Sequence, residues 1–218
     1  MIKKIRIMLG GPAAQIPPMT EKELHETEWI GVDHGLIWLF DHGVTPLIGL
    51  GDFDSLSPAE RLRVEQKVAD LRYALPDKDF TDSQWALTTA FSDLKADQVE
   101  LFGATGGRLD HELVNLFMMT MPAYRQWLGR VTIQDRQNKI RFYGPGDHSL
   151  VPDLQYRYLA FVTLTAITDL NLSQVKYPLS HYSVDFPTSW SSNEFLPGTV
   201  AKFSFRAGVV AVILARDE

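Results

Sequence analysis

Residues 47–60, LIGLGDFDSLSPAE, carry the reading that decides the fold. An apolar run ends at two acids, Asp52 and Asp54, and a helix start follows at once. Ser57, Pro58 and Glu60 combine an N-cap, a proline at the first helical position and a capping-box glutamate. Strand, acidic turn and capped helix together read as one βα unit. In an extended turn Asp52 and Asp54 would point to the same side. Two carboxylates about 4 Å apart repel by roughly 4 kcal/mol at an effective dielectric of 20. No Lys, Arg or His stands between Thr45 and Ser57 to offset that cost.

The same unit recurs on both sides. KIRIML (4–9) runs into Gly10-Gly11-Pro12, a loop signal, and Thr20 with Glu23 starts a short helix. WIGV (29–32) ends at Asp33, and GLIWLF (35–40) reads as a buried helix. Val64, Val68 and Leu71 give the helix after Pro58 its apolar stripe. RYAL (72–75) precedes Pro76 and the acid-rich DKDFTD (77–82). Thr81 with Gln84 caps a helix whose apolar face includes Trp85, Ala86, Ala90 and Leu94. VELF (99–102) leads to GATGGRLDH (103–111) and a helix expected to stop near Pro122.

From about Arg130 the helical period disappears. VTIQ (131–134), IRFY (140–143), YLAFVTL (158–164), TVAKFSF (199–205) and VVAVILA (209–215) read as strands between turns. Arg206-Ala207-Gly208 reads as a hairpin connection. The expectation is an α/β amino-terminal nucleotide-binding domain over residues 1–128, with an open, mostly parallel sheet. An all-β carboxyl-terminal sandwich follows over residues 129–218.

Composition narrows the function. The chain has 218 residues, enough for a sizeable core in one large or two modest domains. A net charge of −6 argues against a nucleic-acid surface, which needs an excess of Lys and Arg. The basic, then apolar, first residues are too short and too interrupted by Arg6 for a signal peptide, and no stretch has the length of a membrane span. Zero cysteines exclude a disulfide framework and thiolate metal sites and fit a reducing compartment, so a cytoplasmic location is expected.

Asp33, the pair Asp52 and Asp54, and the pair Asp79 and Asp82 each follow an apolar strand-like run. Asp110 follows a fourth across a glycine-rich loop. Open α/β sheets bind ligands at the carboxyl ends of their strands, so these acids are expected on one rim. Mg²⁺ suits such a cluster: it takes a few hard carboxylate oxygens and fills its shell with water and phosphate. The cation absent from the local sequence is then a metal arriving with a phosphorylated substrate. Each acid alone has an ordinary alternative, as a helix cap or a first-turn carboxylate favoured by the macrodipole; only the conjunction favours a shared site. Lys78 and Arg108 lie inside the acid-bearing loops, where they could hold phosphate oxygens or form surface ion pairs. P-loop, dinucleotide-binding and serine-hydrolase motifs are absent from the sequence.

GDFDSL, DKDFTDSQWAL, GATGGRLDHELVNL and, further on, KYPL followed by SSNE resemble the bacterial-type thiamine pyrophosphokinase family, in the family's order and over nearly the whole chain. The resemblance implies transfer of a pyrophosphoryl group from ATP to the hydroxyl of thiamine, giving thiamine diphosphate and AMP with Mg²⁺ present. It also implies a homodimer with active sites at the subunit interface. By the same resemblance, Asp33, Asp52 and Asp54 would hold Mg²⁺ and the phosphates. Lys78, Asp79, Thr81 and Asp82 would line the space between ATP and the thiamine side arm, with Asp82 orienting or deprotonating the hydroxyl. Asp52, Asp54 and Asp82 are thus the expected catalytic set. Arg108 and Asp110 would close the nucleotide side, and Ser191, Ser192 and Asn193 would lie near the thiamine ring. Trp190 has two readings, a stacking partner or a core residue. His34 occupies a place where the family often has a small or basic residue. Two rival functions stay open: another D-x-D metal-dependent enzyme such as a nucleotide-sugar glycosyltransferase, and a non-catalytic thiamine or nucleotide sensor.

Overall fold

Five apolar runs of the first half form strands β1 (Lys4–Met8), β2 (Glu28–Val32), β3 (Ile48–Gly51), β4 (Asp70–Tyr73) and β5 (Gln98–Phe102). Between and after them lie helices α1 (Glu21–His25), α2 (His34–Asp41), α3 (Pro58–Lys67), α4 (Asp82–Ser92) and α5 (Leu109–Phe117). The computed structural model describes residues 3–74 and 79–217. It divides into two units: one runs up to Leu116 and includes Ile133–Arg136, and the other comprises Phe117–Thr132 and the residues from Gln137 onward.

In the first unit the strands lie in the order β5-β1-β2-β3-β4, and every pairing among them is parallel. Side chains alternate across a strand. One face offers Gly31 and Gly49, and α2 settles there: a Cβ on Gly31 would stand 2.4 Å from Leu36 Cδ2. The other face offers Ile5, Ile7, Ile30, Val32, Ile48 and Leu50, all buried. Helix α4 covers these strands with Ala86, Leu87 and Ala90, themselves fully buried. Thr20, Ser57 and Thr81 each close a capping box with the residue three positions on, as the sequence indicates. Leu71 belongs to β4 rather than to the α3 stripe, because α3 ends at Lys67.

Arg6 and Lys4 on β1 hold Glu100 on β5 through hydrogen bonds of 2.9 Å each. Burial pushes the Glu100 carboxyl up, but the bonds from Lys4 and Arg6 outweigh it and leave it below its ordinary value of 4.5. Their contribution is present above that value and is lost as acid protonates the group. Glu100→Gln removes the carboxylate partner of a largely buried Arg6, which keeps its bond to the Glu23 carbonyl, and is expected to cost about 3 kcal/mol at pH 7. A urea titration checks this, and the difference from wild type should shrink below pH 4.5.

The second half supplies β6 (Val131–Gln134), β7 (Asn138–Tyr143), β8 (Gly146–Leu150), β9 (Tyr158–Thr163), β10 (Ile167–Ser173), β11 (Leu179–Val184), β12 (Thr188–Asn193), β13 (Ala201–Phe205) and β14 (Val210–Ala215). The second unit is an antiparallel sandwich. One layer runs β12-β9-β14-β7 and the other β11-β10-β13-β8. Leu159, Phe161 and Val212 of the first layer meet Leu170, Leu172 and Phe203 of the second in one apolar core. Arg206-Ala207-Gly208 does not close a hairpin. Strand β13 pairs with β10 and β8 while β14 pairs with β7 and β9, so the turn passes the chain between layers. Gly208 has φ 105°, and a Cβ there would stand 2.2 Å from the Ala166 carbonyl oxygen, which no side chain tolerates.

Candidate active site

The carboxyl ends of β2 and β3 and the start of α4 bring four acids into one electrostatic group. Asp33 follows β2, Asp52 and Asp54 follow β3, and Asp82 opens α4. Asp33 is mostly buried, and its carboxyl is pushed up to about 7, first by that burial and then by the charges of Asp82, Asp52 and Asp54. The backbone N–H of Phe53 donates to Asp33 Oδ1 at 3.4 Å and opposes the rise.

Asp52 and Asp54 do not sit in an extended segment. The strand ends at Gly51, and Phe53 adopts φ 56°. Asp54 N–H donates to Asp52 Oδ1 at 3.1 Å, so the two carboxyls are neighbours through a turn rather than through a pleat. The Asp54 carboxyl is raised by its hydrogen bond with the Asp52 side chain and by that side chain's charge. Phe53 is the anchor between them: it is 1% exposed, packs into the core with Leu36, Leu56 and Val64, and stands edge-on to Tyr73 at 5.2 Å. One buried ring thus holds two exposed acids outward.

Sequence reasoning missed Gly51. A Cβ at that position would lie 1.8 Å from Asp33 Oδ1, so only glycine lets the Asp33 carboxyl rest over the end of β3. Its φ of 144° points the same way. The one signal was a glycine immediately before the acid pair. From sequence alone the glycines around the β1 and β5 ends signal only loops. There Gly11 N–H donates to Gly103 O at 3.0 Å, and a Cβ on Gly11 would stand 2.3 Å from that oxygen. The strand order reverses between β1 and β5, which makes this the switch point where such sheets open a ligand crevice.

The remaining expected residues are dispersed. Thr81 accepts from Gln84 N–H as the cap of α4 and touches Ser83 Oγ at 2.9 Å. Asp79 is exposed on the segment before it. Lys78 lies outside the described residues. Arg108 and Asp110, beyond β5, pair with each other at 2.6 and 3.2 Å, both well exposed. Their loop is held from beneath: Asn115 Nδ2 donates to Ala104 O at 2.9 Å, and Glu112 accepts from Gly106 N–H at 3.0 Å. His34 Nδ1 is 3.1 Å from Ser55 Oγ, tying the α2 start to the acid-bearing loop.

Among the described residues, Asp33, Asp52 and Asp54 form no ion pair with Lys or Arg, and no group of three His, Asp or Glu side chains is spaced to cage an ion unaided. The donor set nevertheless fits Mg²⁺, which is held by one or two carboxylates with substrate phosphates and water completing its shell. A carboxyl held near 7 by burial first and by neighbouring carboxylates second is a site that gains by receiving a cation.

In the second unit a cleft of about 340 Å³ is lined by Leu172, Tyr177, Leu179, Trp190, Ser191 and Asn193, among others. Trp190 is half-buried; it packs against the sandwich core and meets Tyr182 edge-on at 5.3 Å, so it serves core and cleft together. Ser192, at φ 58°, is exposed beside it.

One chain thus carries a parallel sheet with an acidic rim and a β-sandwich with an aromatic cleft. Residues 21–128 match the family model described as the catalytic domain of thiamin pyrophosphokinase, and residues 147–210 match its vitamin B1 binding domain. The thiamine pyrophosphokinase of Bacillus subtilis is 34% identical over 99% of this chain and its own full length. A solved thiamin pyrophosphokinase family protein from Enterococcus faecalis superimposes with a TM-score of 0.92 at 35% identity, covering 99% of this chain and 100% of that one. A Lactobacillus plantarum protein does so with a TM-score of 0.89 at 40% identity, with the same coverage. The chain belongs to the thiamine pyrophosphokinase family.

Proposed function

We propose that the chain transfers the pyrophosphoryl group of ATP to the hydroxyl of thiamine, releasing AMP and thiamine diphosphate. The observation that carries this reading is the group of four carboxylates on the rim of a family-matched catalytic domain. ATP and Mg²⁺ fall to residues 1–128 and thiamine to residues 129–218, which the extents of the two family matches support.

Mg²⁺, when bound, would supply positive charge against the phosphates. Asp33, Asp52 and Asp54 are its proposed ligands. Asp82, at the first turn of α4, receives or orients the thiamine hydroxyl proton as that oxygen attacks the β-phosphorus. Thr81 sets the helix start that aims Asp82, and Asp79 and Lys78 flank the same stretch. Arg108 offers a fork to phosphate oxygens once it leaves Asp110, and Asp110 keeps it on the nucleotide side until then. Ser191, Ser192 and Asn193 border the thiamine ring, beside Trp190.

The chain is further proposed to act as a homodimer in the cytoplasm, with active sites at the subunit interface. Leu109, Leu113 and Phe117 support the dimer: they fall at i, i+4 and i+8 on α5 and are 67%, 40% and 43% exposed. Leu113→Arg is expected to shift the protein toward monomer in light scattering and to lower turnover about tenfold or more. No helix among the described residues is long and apolar enough to cross a membrane.

Incubation with thiamine, ATP and Mg²⁺, followed by chromatography, is expected to yield equal amounts of thiamine diphosphate and AMP. Thiamine binding without AMP release would favour a sensor. AMP release that needs another acceptor would favour a different transferase.

A further inference from the structure

We infer that Asn193 is a positioning residue that acts on thiamine through Tyr177 rather than by touching the ring, and that the preceding serines form the bulge that makes this possible. The inference rests on the thiamine reading of the cleft and names how one wall of that cleft is fixed.

Strand β12 pairs with β9 so that Trp190 faces Phe161 and Asn193 faces Leu159. Three steps along β12 therefore match two along β9, leaving one extra residue in β12. Ser192 absorbs it at φ 58°. Plain alternation would put Asn193 on the face opposite Trp190; the bulge returns it to the same side, where it is 2% exposed. Three of its amide's four hydrogen-bonding positions are then taken by backbone. Oδ1 accepts from Tyr177 N–H at 2.9 Å and from Glu194 N–H at 3.0 Å, and Nδ2 donates to Tyr177 O at 2.9 Å. A carboxamide that exchanges both bonds with one residue's backbone replaces a strand partner.

The neighbouring residues extend that ladder. Val175 bridges Phe195, Lys176 N–H donates to Glu194 O at 3.0 Å, and Lys176 Nζ pairs with the Glu194 carboxylate at 2.8 Å. Asn193 terminates this short zipper at Tyr177, a residue that lines the cleft and is 56% exposed. At 2% exposure, with both acceptor positions of Oδ1 taken and one N–H committed to the Tyr177 carbonyl, the amide presents almost no surface to a substrate.

The test uses full-length wild type, Asn193→Ala, Tyr177→Ala and the double variant. In Asn193→Ala, hydrogen exchange at the Tyr177 amide should accelerate at least tenfold while the β9 and β14 amides keep their protection. The KM for thiamine should rise about tenfold or more, with the KM for ATP within twofold. The double variant should match Tyr177→Ala alone. A Tyr177 amide that stays protected, or thiamine KM effects that multiply in the double variant, overturns the inference. Should Asn193→Ala fail to fold, Asn193→Asp keeps both acceptor bonds and loses only the donor to Tyr177 O. It should show partial acceleration of exchange at Tyr177, and an unchanged rate overturns the proposal. The exchange measurement needs no substrate, so a wild type that makes no thiamine diphosphate would sink the functional reading while leaving the bulge to be judged separately.

Discussion

Asp33→Asn should make the ligand-free protein more stable at pH 8 and nearly inactive. With its carboxyl held near 7 against an ordinary value of 3.8, the folded state keeps a proton that the unfolded chain has already lost between those values. Stability therefore falls as pH rises through that window and levels off above about 7. At pH 8 the native protein holds a mostly buried charge among three other carboxylates, at a cost of up to about 4 kcal/mol. Asn removes the charge and keeps an oxygen for the Phe53 N–H. The variant should melt several degrees higher than wild type at pH 8 and at nearly the same temperature at pH 4. Turnover should fall by about a hundredfold or more. A variant less stable than wild type at pH 8 would show that the carboxylate already has a cationic partner. Adding Mg²⁺ should raise the melting temperature of wild type and not that of the variant.

Asp52→Asn is the larger catalytic loss. Its side chain hydrogen-bonds to the Asp54 carboxyl and accepts from the Asp54 N–H, so it organises the turn as well as supplying an oxygen donor. The Asn oxygen can still accept from that N–H, and the fold rests on Phe53, so the melting curve should barely move. Turnover should drop about a hundred- to a thousandfold, in proportion to lost charge stabilisation. The Mg²⁺ concentration for half-maximal rate should rise in parallel. Near-normal AMP release would remove Asp52 from the reacting centre. A collapsed melting transition would assign it to the fold instead.

What could be read from the chain in advance divides along the range of the interaction. The capping boxes at Thr20, Ser57 and Thr81 were legible because cap and partner lie three residues apart. The gathering of Asp33, Asp52, Asp54 and Asp82 followed from a general rule about strand ends, so it too could be anticipated. The local geometry could not. An extended Asp-Phe-Asp was a natural guess, but the buried ring of Phe53 overrides it with a left-handed turn. Gly51 became significant only once the Asp33 carboxyl was seen lying over it from the next strand. The turn at Arg206 looked like a hairpin because its flanks were strands; their partners, β10 and β8 on one side and β7 and β9 on the other, are chosen by packing far along the chain. Asn193 carried a site's residue type, and its engagement with Tyr177 depends on a one-residue slip that no local pattern announces.

The short return of Ile133–Arg136 to the first unit has a consequence for anyone wishing to dissect the protein. Asp135 takes the Thr105 hydroxyl at 2.8 Å, and Arg136 N–H reaches Gln15 O at 2.8 Å, so this segment closes contacts made by much earlier residues. The polypeptide crosses from one unit to the other three times, and no single scissor point yields two self-sufficient fragments. A half-gene ending after α5 would be born with an open seam, whereas two co-expressed pieces broken inside a surface turn of the sandwich could still find each other and heal it.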